Sequence, residues 1–471
     1  MAATAAGLAS ARRTYRGAAQ AAPLRQGSDP TGLTPAFHPY NPPVAKHQLT
    51  ELATGERVIS ERLPGVRSVA IGFWIGAGSR DEPDARAGIS HFIEHLLFKG
   101  SSRYSAQEIA EIFDGLGGEL NASTSRETTV VYARIPDDRL ETAIDVMADM
   151  VFQPSFSDVD SEREVVLEEI AMVEDTPHDL VHDIAAEAVF GAHPLGRPVI
   201  GRADVISTVS RRALSAYHQR AYAGAQIVLA AAGNLRHEEL VGLLEDRRNG
   251  AAVGATLPAR KSIRRLPPPG LRFQSKETEQ YHVCLSAPGI PRMDERRFAA
   301  ALLDAIVGGS ASSRLFQEIR EKRGMAYSVY SYSSQYADAG QIGLYVGTRE
   351  ENLSSCLEIA VSELADVAAG NVRRDELERA KENLKGRLLL SLESTSNRMT
   401  RLGKATITDT PLLRAEEIVR RLEAVSAEEV ALLADELLAP SRLSAAGIGP
   451  DEGRFREAVA HVNPTLLEKA A

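Results

Sequence analysis

The chain has 471 residues, is 44% apolar, and carries 64 acidic against 54 basic side chains for a net charge of −10. That length exceeds what one hydrophobic core covers and implies about two to four domains, while the acidic balance argues against nucleic acid as the main partner and favours cationic ligands. No apolar run approaches the ~18 residues of a membrane span, and Cys284 and Cys356, both in apolar surroundings, cannot form a disulfide framework. A soluble protein of a reducing compartment is expected, and the Ala-rich composition points to a bacterial cytoplasm.

Residues 1–28 lack Asp and Glu but include Arg12, Arg13, Arg16 and Arg25. They read as a disordered leader; a transit peptide, and with it the mitochondrial matrix, is the alternative. A Pro-rich stretch follows, so residues 1–46 are set apart and a first domain is expected over 47–250. It begins with a hairpin around Thr54-Gly55 and a buried strand over Val69–Ile75. Next comes His91-Phe92-Ile93-Glu94-His95. On a helix, His91 and His95 project from one face with Glu94 beside the second, while Ile89, Phe92, Ile93, Leu96 and Leu97 bury the opposite face.

A histidine pair at this spacing is, alone, more often a solvated helix face. The glutamate and the packed opposite side favour zinc, because His-x-x-Glu-His is the inverted form of the His-Glu-x-x-His catalytic zinc motif.

A second helix is predicted over Ser105–Leu116 with its stop at Gly117-Gly118, then a strand through Leu120–Ile135, and helices around Asp138–Val151 and Asp158–Val173. The last of these holds candidates for the third ligand that a catalytic zinc requires, namely Glu162, Glu164, Glu168 and Glu169. Spacing does not choose among them. Glu162 and Glu169 share a helix face, so one is placed to ligate while the other orients a ligand histidine.

Residues 251–272, polar and basic with Pro267-Pro268-Pro269, read as a linker to a second domain over 273–460. The halves look duplicated: Met147-Ala148-Asp149-Met150 resembles Leu364-Ala365-Asp366-Val367, and Glu162-Arg163 recurs as Glu378-Arg379. In that register Glu169 falls opposite Lys385, and no histidine occurs between His282 and His461. One zinc per chain follows. Ser312–Arg323 reads as an amphipathic helix with Leu315, Phe316 and Ile319 inward and Gly324 as its stop. The fold class is therefore α+β: two homologous α/β-layer domains.

HFIEH followed by LLFKG, LNASTSRETTVVYA, EREVVLEE and HPLGRPVIG resembles the pitrilysin or insulinase family of zinc metallopeptidases, the inverzincins. The similarity runs from about residue 47 to 455. It is nearest the half-length branch that includes the mitochondrial processing peptidase β subunit and its bacterial relatives, of LuxS/processing-peptidase-like metalloenzyme fold. The resemblance implies that His91, His95 and Glu169 ligate zinc, that Glu162 supports a ligand histidine, and that Glu94 is the general base. It implies further that Asn121-Ala122-Ser123-Thr124 is a sheet edge pairing with an extended substrate. SSRLFQEIREKRGMAYSV likewise implies that Arg320 and Tyr327 approach the substrate carbonyl.

The implied activity is endopeptidase cleavage of unfolded, cationic or presequence-like peptides in a clamshell chamber of four domains. One chain supplies two of these, so a homodimer is expected, or a heterodimer with an inactive paralogue. The rival function is a non-catalytic core or partner subunit of a peptidase or respiratory complex. Such subunits usually carry degraded metal motifs, and this one is whole.

Overall fold

The computed structural model describes residues 47–248, 257, 259–260, 262–263 and 265–468. The expected leader and part of the expected linker, residues 251–256, 258, 261 and 264, lie outside the described residues. In chain order the first half comprises β1 (His47–Glu51), β2 (Arg57–Arg62), β3 (Ser68–Ile75), α1 (Ile89–Leu97), α2 (Ala106–Leu116), β4 (Glu119–Thr124), β5 (Thr129–Pro136), α3 (Leu140–Phe152), α4 (Val159–Asp175), α5 (Pro177–Phe190), α6 (Ala203–Ile206), α7 (Arg211–Ala221), β6 (Ile227–Gly233) and α8 (His237–Arg248). The second comprises β7 (Leu271–Ser275), β8 (Tyr281–Gly289), α9 (Arg297–Val307), β9 (Ala326–Gln335), β10 (Gly340–Thr348), α10 (Leu353–Ala368), α11 (Arg374–Ser391), α12 (Thr395–Ile407), α13 (Ala415–Ala424), α14 (Ala427–Leu438), β11 (Ser444–Gly449), α15 (Glu452–Ala460) and α16 (Thr465–Glu468).

The first sheet runs β1-β2-β6-β3-β5-β4 and the second β7-β11-β8-β10-β9. Without β1, the two orders are the same, as the duplication requires, and the chain has a two-domain mixed α/β fold. The stretch Leu120–Ile135, expected as one strand, is instead the hairpin β4–β5. Ser125 N–H donates to Thr128 C=O at 2.8 Å and closes the turn between them. Thr and Val favour strand throughout, so composition alone hides the polar turn Ser125–Thr128.

Each half lends a helix to the other's sheet. In β6 the side chains of Ile227, Leu229 and Ala231 enter the main first-half core, while Val228, Ala230 and Ala232 face Met399 and Leu402 of α12. Burial on both faces explains the unbroken apolar run IVLAAAG. The small residues on the α12 side set a close approach. A Cβ on Gly403 of α12 would lie 2.0 Å from Trp74 Nε1, and Trp74 Nε1–H donates to Met399 Sδ at 3.4 Å. Reciprocally, Val181 and Ala185 of α5 pack on Cys284, Tyr345, Ala446 and Ile448 of the second sheet. Both cysteines are buried and unpaired.

A buried ion cluster ties the halves together again. Glu127 accepts from Arg80 at 2.8 Å and from Arg292, and takes the Ala337 N–H at 3.1 and 3.2 Å. Removing one partner of such a cluster strands the others in low dielectric.

Candidate metal centre

α1 is held in place before it offers any chemistry. Ile89, Phe92, Ile93, Leu96 and Leu97 are completely buried against the first sheet. At its start, Gly88 adopts φ +94° and presses on Gly201, where a Cβ on either glycine would meet the other's backbone within 2.7 Å. The HPLGRPVIG segment, which ends in that Gly201, also sends Arg197 to the carbonyls of Ser79 (3.1 Å) and Glu82 (2.8 Å). Glu82 accepts the Gly88 and Ser90 N–H groups at 2.7 Å each, satisfying free donors at the helix start. Burial pushes its carboxyl up to about 7.

α4 crosses this helix and settles which glutamates reach the histidines. Glu169 Oε2 lies 3.2 Å from His95 Nε2 and 3.7 Å from His91 Nε2. The three ligand atoms of His91, His95 and Glu169 lie within 4.8 Å of one another, and among the described residues no other His/Cys/Asp/Glu group of three or more does so. Glu162 occupies the other side of His95, with Oε1 2.8 Å from Nδ1. Its second oxygen takes Lys99 Nζ at 2.7 Å. The ion pairs of both histidines run to Glu162 and Glu169, not to Glu164 or Glu168.

The electrostatics of this cluster call for a cation. Burial, reinforced by the neighbouring His95, lowers His91 to about 4, so its ring is neutral near pH 7. Its Nδ1 is buried without a hydrogen-bond partner, and its Nε2 faces a carboxylate oxygen. Burial would also lower His95, but its bonds to Glu162 and Glu169 outweigh this and raise it to about 9. Donors at about 2.0–2.2 Å from a tetrahedral cation stand about 3.3–3.6 Å apart, close to the 3.2 and 3.7 Å seen here. Two imidazoles and a carboxylate, with Glu162 fixing one ring, therefore fit a divalent ion.

Glu94 projects beside the cluster. Burial raises its pKa, and a 2.5 Å hydrogen bond donated by Thr124 Oγ1 to Oε2 opposes the rise. β4 is an edge strand, and Ala122 N–H is satisfied by Asn121 Oδ1 at 2.8 Å instead of by a neighbouring strand. Asn121 and Ser123 are exposed.

Arg320 and Tyr327 lie in the second half. The expected α-helix there is π-helical over Phe316–Glu321, with Lys322 N–H bonded to Gln317 C=O at 2.9 Å. Leu315 and Ile319 are buried as expected, whereas Phe316 is only partly so. The Arg320 guanidinium stands 4.6 Å from the Tyr327 ring centre, and Tyr327 is 77% exposed. Among the described residues neither side chain contacts His91, Glu94, His95 or Glu169.

Lys99 and the Thr124 hydroxyl were not foreseen in these roles. Lys99, one helical turn beyond His95, was the available signal for the first. The second depends on β4 passing over α1, which no local pattern reports.

Comparison with known proteins places the chain. A family profile described as insulinase, peptidase family M16, matches residues 57–203, and one described as the M16 inactive domain matches 208–384. A Mycobacterium leprae protein named an uncharacterized zinc protease is 41% identical over 406 residues, covering 85% of this chain and 91% of that protein. The Bacillus subtilis uncharacterized zinc protease YmxG is 41% identical over 391 residues, covering 81% and 93%. The solved structure of a Helicobacter pylori protease superposes with a TM-score of 0.81 at 20% identity, over 86% of this chain and 100% of that one, a likeness of fold. The chain belongs to the M16, or insulinase, family of peptidases. Among its described residues no helix is long and apolar enough to cross a membrane.

Proposed function

We propose that the chain is a zinc-dependent endopeptidase acting on unstructured peptides, presequence-like segments among them. The observation that carries this reading is the convergence of His91 Nε2, His95 Nε2 and Glu169 Oε2 beside a buried Glu94. These three side chains would hold one zinc per chain, which when bound lowers the pKa of a water to about 7 and polarises a carbonyl. Glu94 takes the proton of the attacking water. Thr124 holds its Oε2, which leaves Oε1 for that proton and for returning it to the leaving amine. Burial keeps the Glu94 pKa above the ordinary carboxylate range and so nearer to working pH.

The open edge of β4 at Asn121–Thr124 receives the peptide as an added strand, read through its backbone, so side-chain preference is loose. Arg320 and Tyr327 stabilise the developing oxyanion from the opposite subunit of a homodimeric clamshell. The exposure of Tyr327, 77% open to solvent with the Arg320 guanidinium over its ring, supports that assignment.

The test pairs Glu94→Gln with Tyr327→Phe. Glu94→Gln retains zinc and loses on the order of 10²–10⁴ in peptide hydrolysis. Mixed with Tyr327→Phe under subunit exchange, it recovers part of the activity. A fully active Glu94→Gln chain removes the general base, and no recovery in verified hybrids removes the cross-subunit role.

A further inference from the structure

A second pair of histidines repeats the spacing of the first, away from the His91 cluster. His178 and His182 stand one turn apart on α5, which lies across the second sheet. Both aim Nε2 at one atom: Tyr330 Oη of β9 is 2.8 Å from His182 Nε2 and 3.1 Å from His178 Nε2. The other ring nitrogens are already engaged. His178 Nδ1 is 3.0 Å from Asp179 Oδ1, and His182 Nδ1 is 3.7 Å from Cys284 Sγ.

From this geometry we infer a second metal site, formed by His178, His182 and Tyr330, for a borderline divalent cation with copper(II) as its preferred occupant. The carboxylate at His178 Nδ1 anchors that side of the ring and turns Nε2 toward Tyr330, the device by which carboxylates orient metal-ligating histidines. Burial lowers His182 to about 4, so this ring is a neutral ligand near pH 7. Donors at about 2.0–2.2 Å from an ion at right angles stand about 2.8–3.1 Å apart, which matches the two distances to Tyr330 and suits the tetragonal geometry of copper(II).

Without an ion, Tyr330 donates its proton to one Nε2 and accepts the N–H of the other. An entering cation takes both Nε2 atoms and the phenol oxygen: the O–H bond breaks and its proton leaves to solvent, and the ring proton on the donating Nε2 shifts to that ring's Nδ1. Burial has pushed the Tyr330 phenol up to about 12, so the oxygen is the weakest of the three ligands. Access is open, because the His178 side chain is 45% exposed. Tyr345, stacked on Tyr330 with ring centres 5.0 Å apart, backs the site. An ion held there cross-links a helix of the first half to the sheet of the second.

The test uses the full chain carrying His91→Ala and His95→Ala, so that the first centre does not contribute. It is titrated with copper(II) and followed by electron paramagnetic resonance and calorimetry. We expect stoichiometric binding with hyperfine structure from two nitrogens. Adding His178→Ala should reduce this to one nitrogen and weaken binding by at least about tenfold. Tyr330→Phe should keep both nitrogens but remove the visible phenolate-to-copper band. His178 is half exposed, so its replacement tests the site without disturbing the α5 packing, and unchanged melting of the metal-free variant checks this. Copper binding that is absent, or that survives both His178→Ala and His182→Ala, overturns the assignment.

Discussion

The His91–His95–Glu169 cluster carries a proton that an incoming cation must displace, and pH is the perturbation that exposes it. His95, between Glu162 and Glu169, keeps its proton up to about 9, whereas burial strips His91 at about 4. At pH 7 the imidazole pair therefore holds about one proton, and about one metal-free chain in a hundred is ready to ligate. Apparent zinc affinity should rise about tenfold per pH unit from about 6.5 to 8.5 and level off above 9.

The same group links pH to stability. Its folded pKa of about 9 exceeds the unfolded value of 6.5, a difference equivalent to about 3 kcal/mol. That stabilisation is complete below 6.5 and is lost as pH rises through 9. Chelator competition gives the affinities, and calorimetry in buffers of different ionisation enthalpy counts the protons. Glu162→Gln should flatten the affinity profile, since it removes a bond that raises His95. Affinity independent of pH between 6.5 and 8.5 would refute the assignment of charge to His95.

Thr124→Val removes the bond that opposes the burial-driven rise of Glu94. The acid limb of the kcat/KM profile should therefore move to higher pH, with zinc content unchanged. Gly403→Ala places a methyl 2.0 Å from Trp74 Nε1, which should lower stability by about 1–3 kcal/mol in urea denaturation and loosen α12 from the first sheet.

The helix of the candidate metal centre was legible because its polar and packing residues occupy separate faces: the apolar period of Ile89, Phe92, Ile93, Leu96 and Leu97 left His91 and His95 free. The proposed third ligand was only half legible. Periodicity put Glu162 and Glu169 on one face of α4, and the fold divided their work by laying that face across His95, one carboxylate at Nδ1 and the other at Nε2. The exchange of α5 and α12 between sheets was invisible, since an amphipathic pattern tells that a helix is covered but not by what. His178 and His182 escaped notice because their partner, Tyr330, comes from a distant strand.

The most direct test is the rate at which the purified full chain cuts an unstructured, cationic, quenched-fluorescence peptide before chelator treatment, after complete removal of metal, and after zinc is returned. The account expects cleavage that vanishes on stripping and returns with zinc. Cleavage that persists in metal-free protein would contradict it.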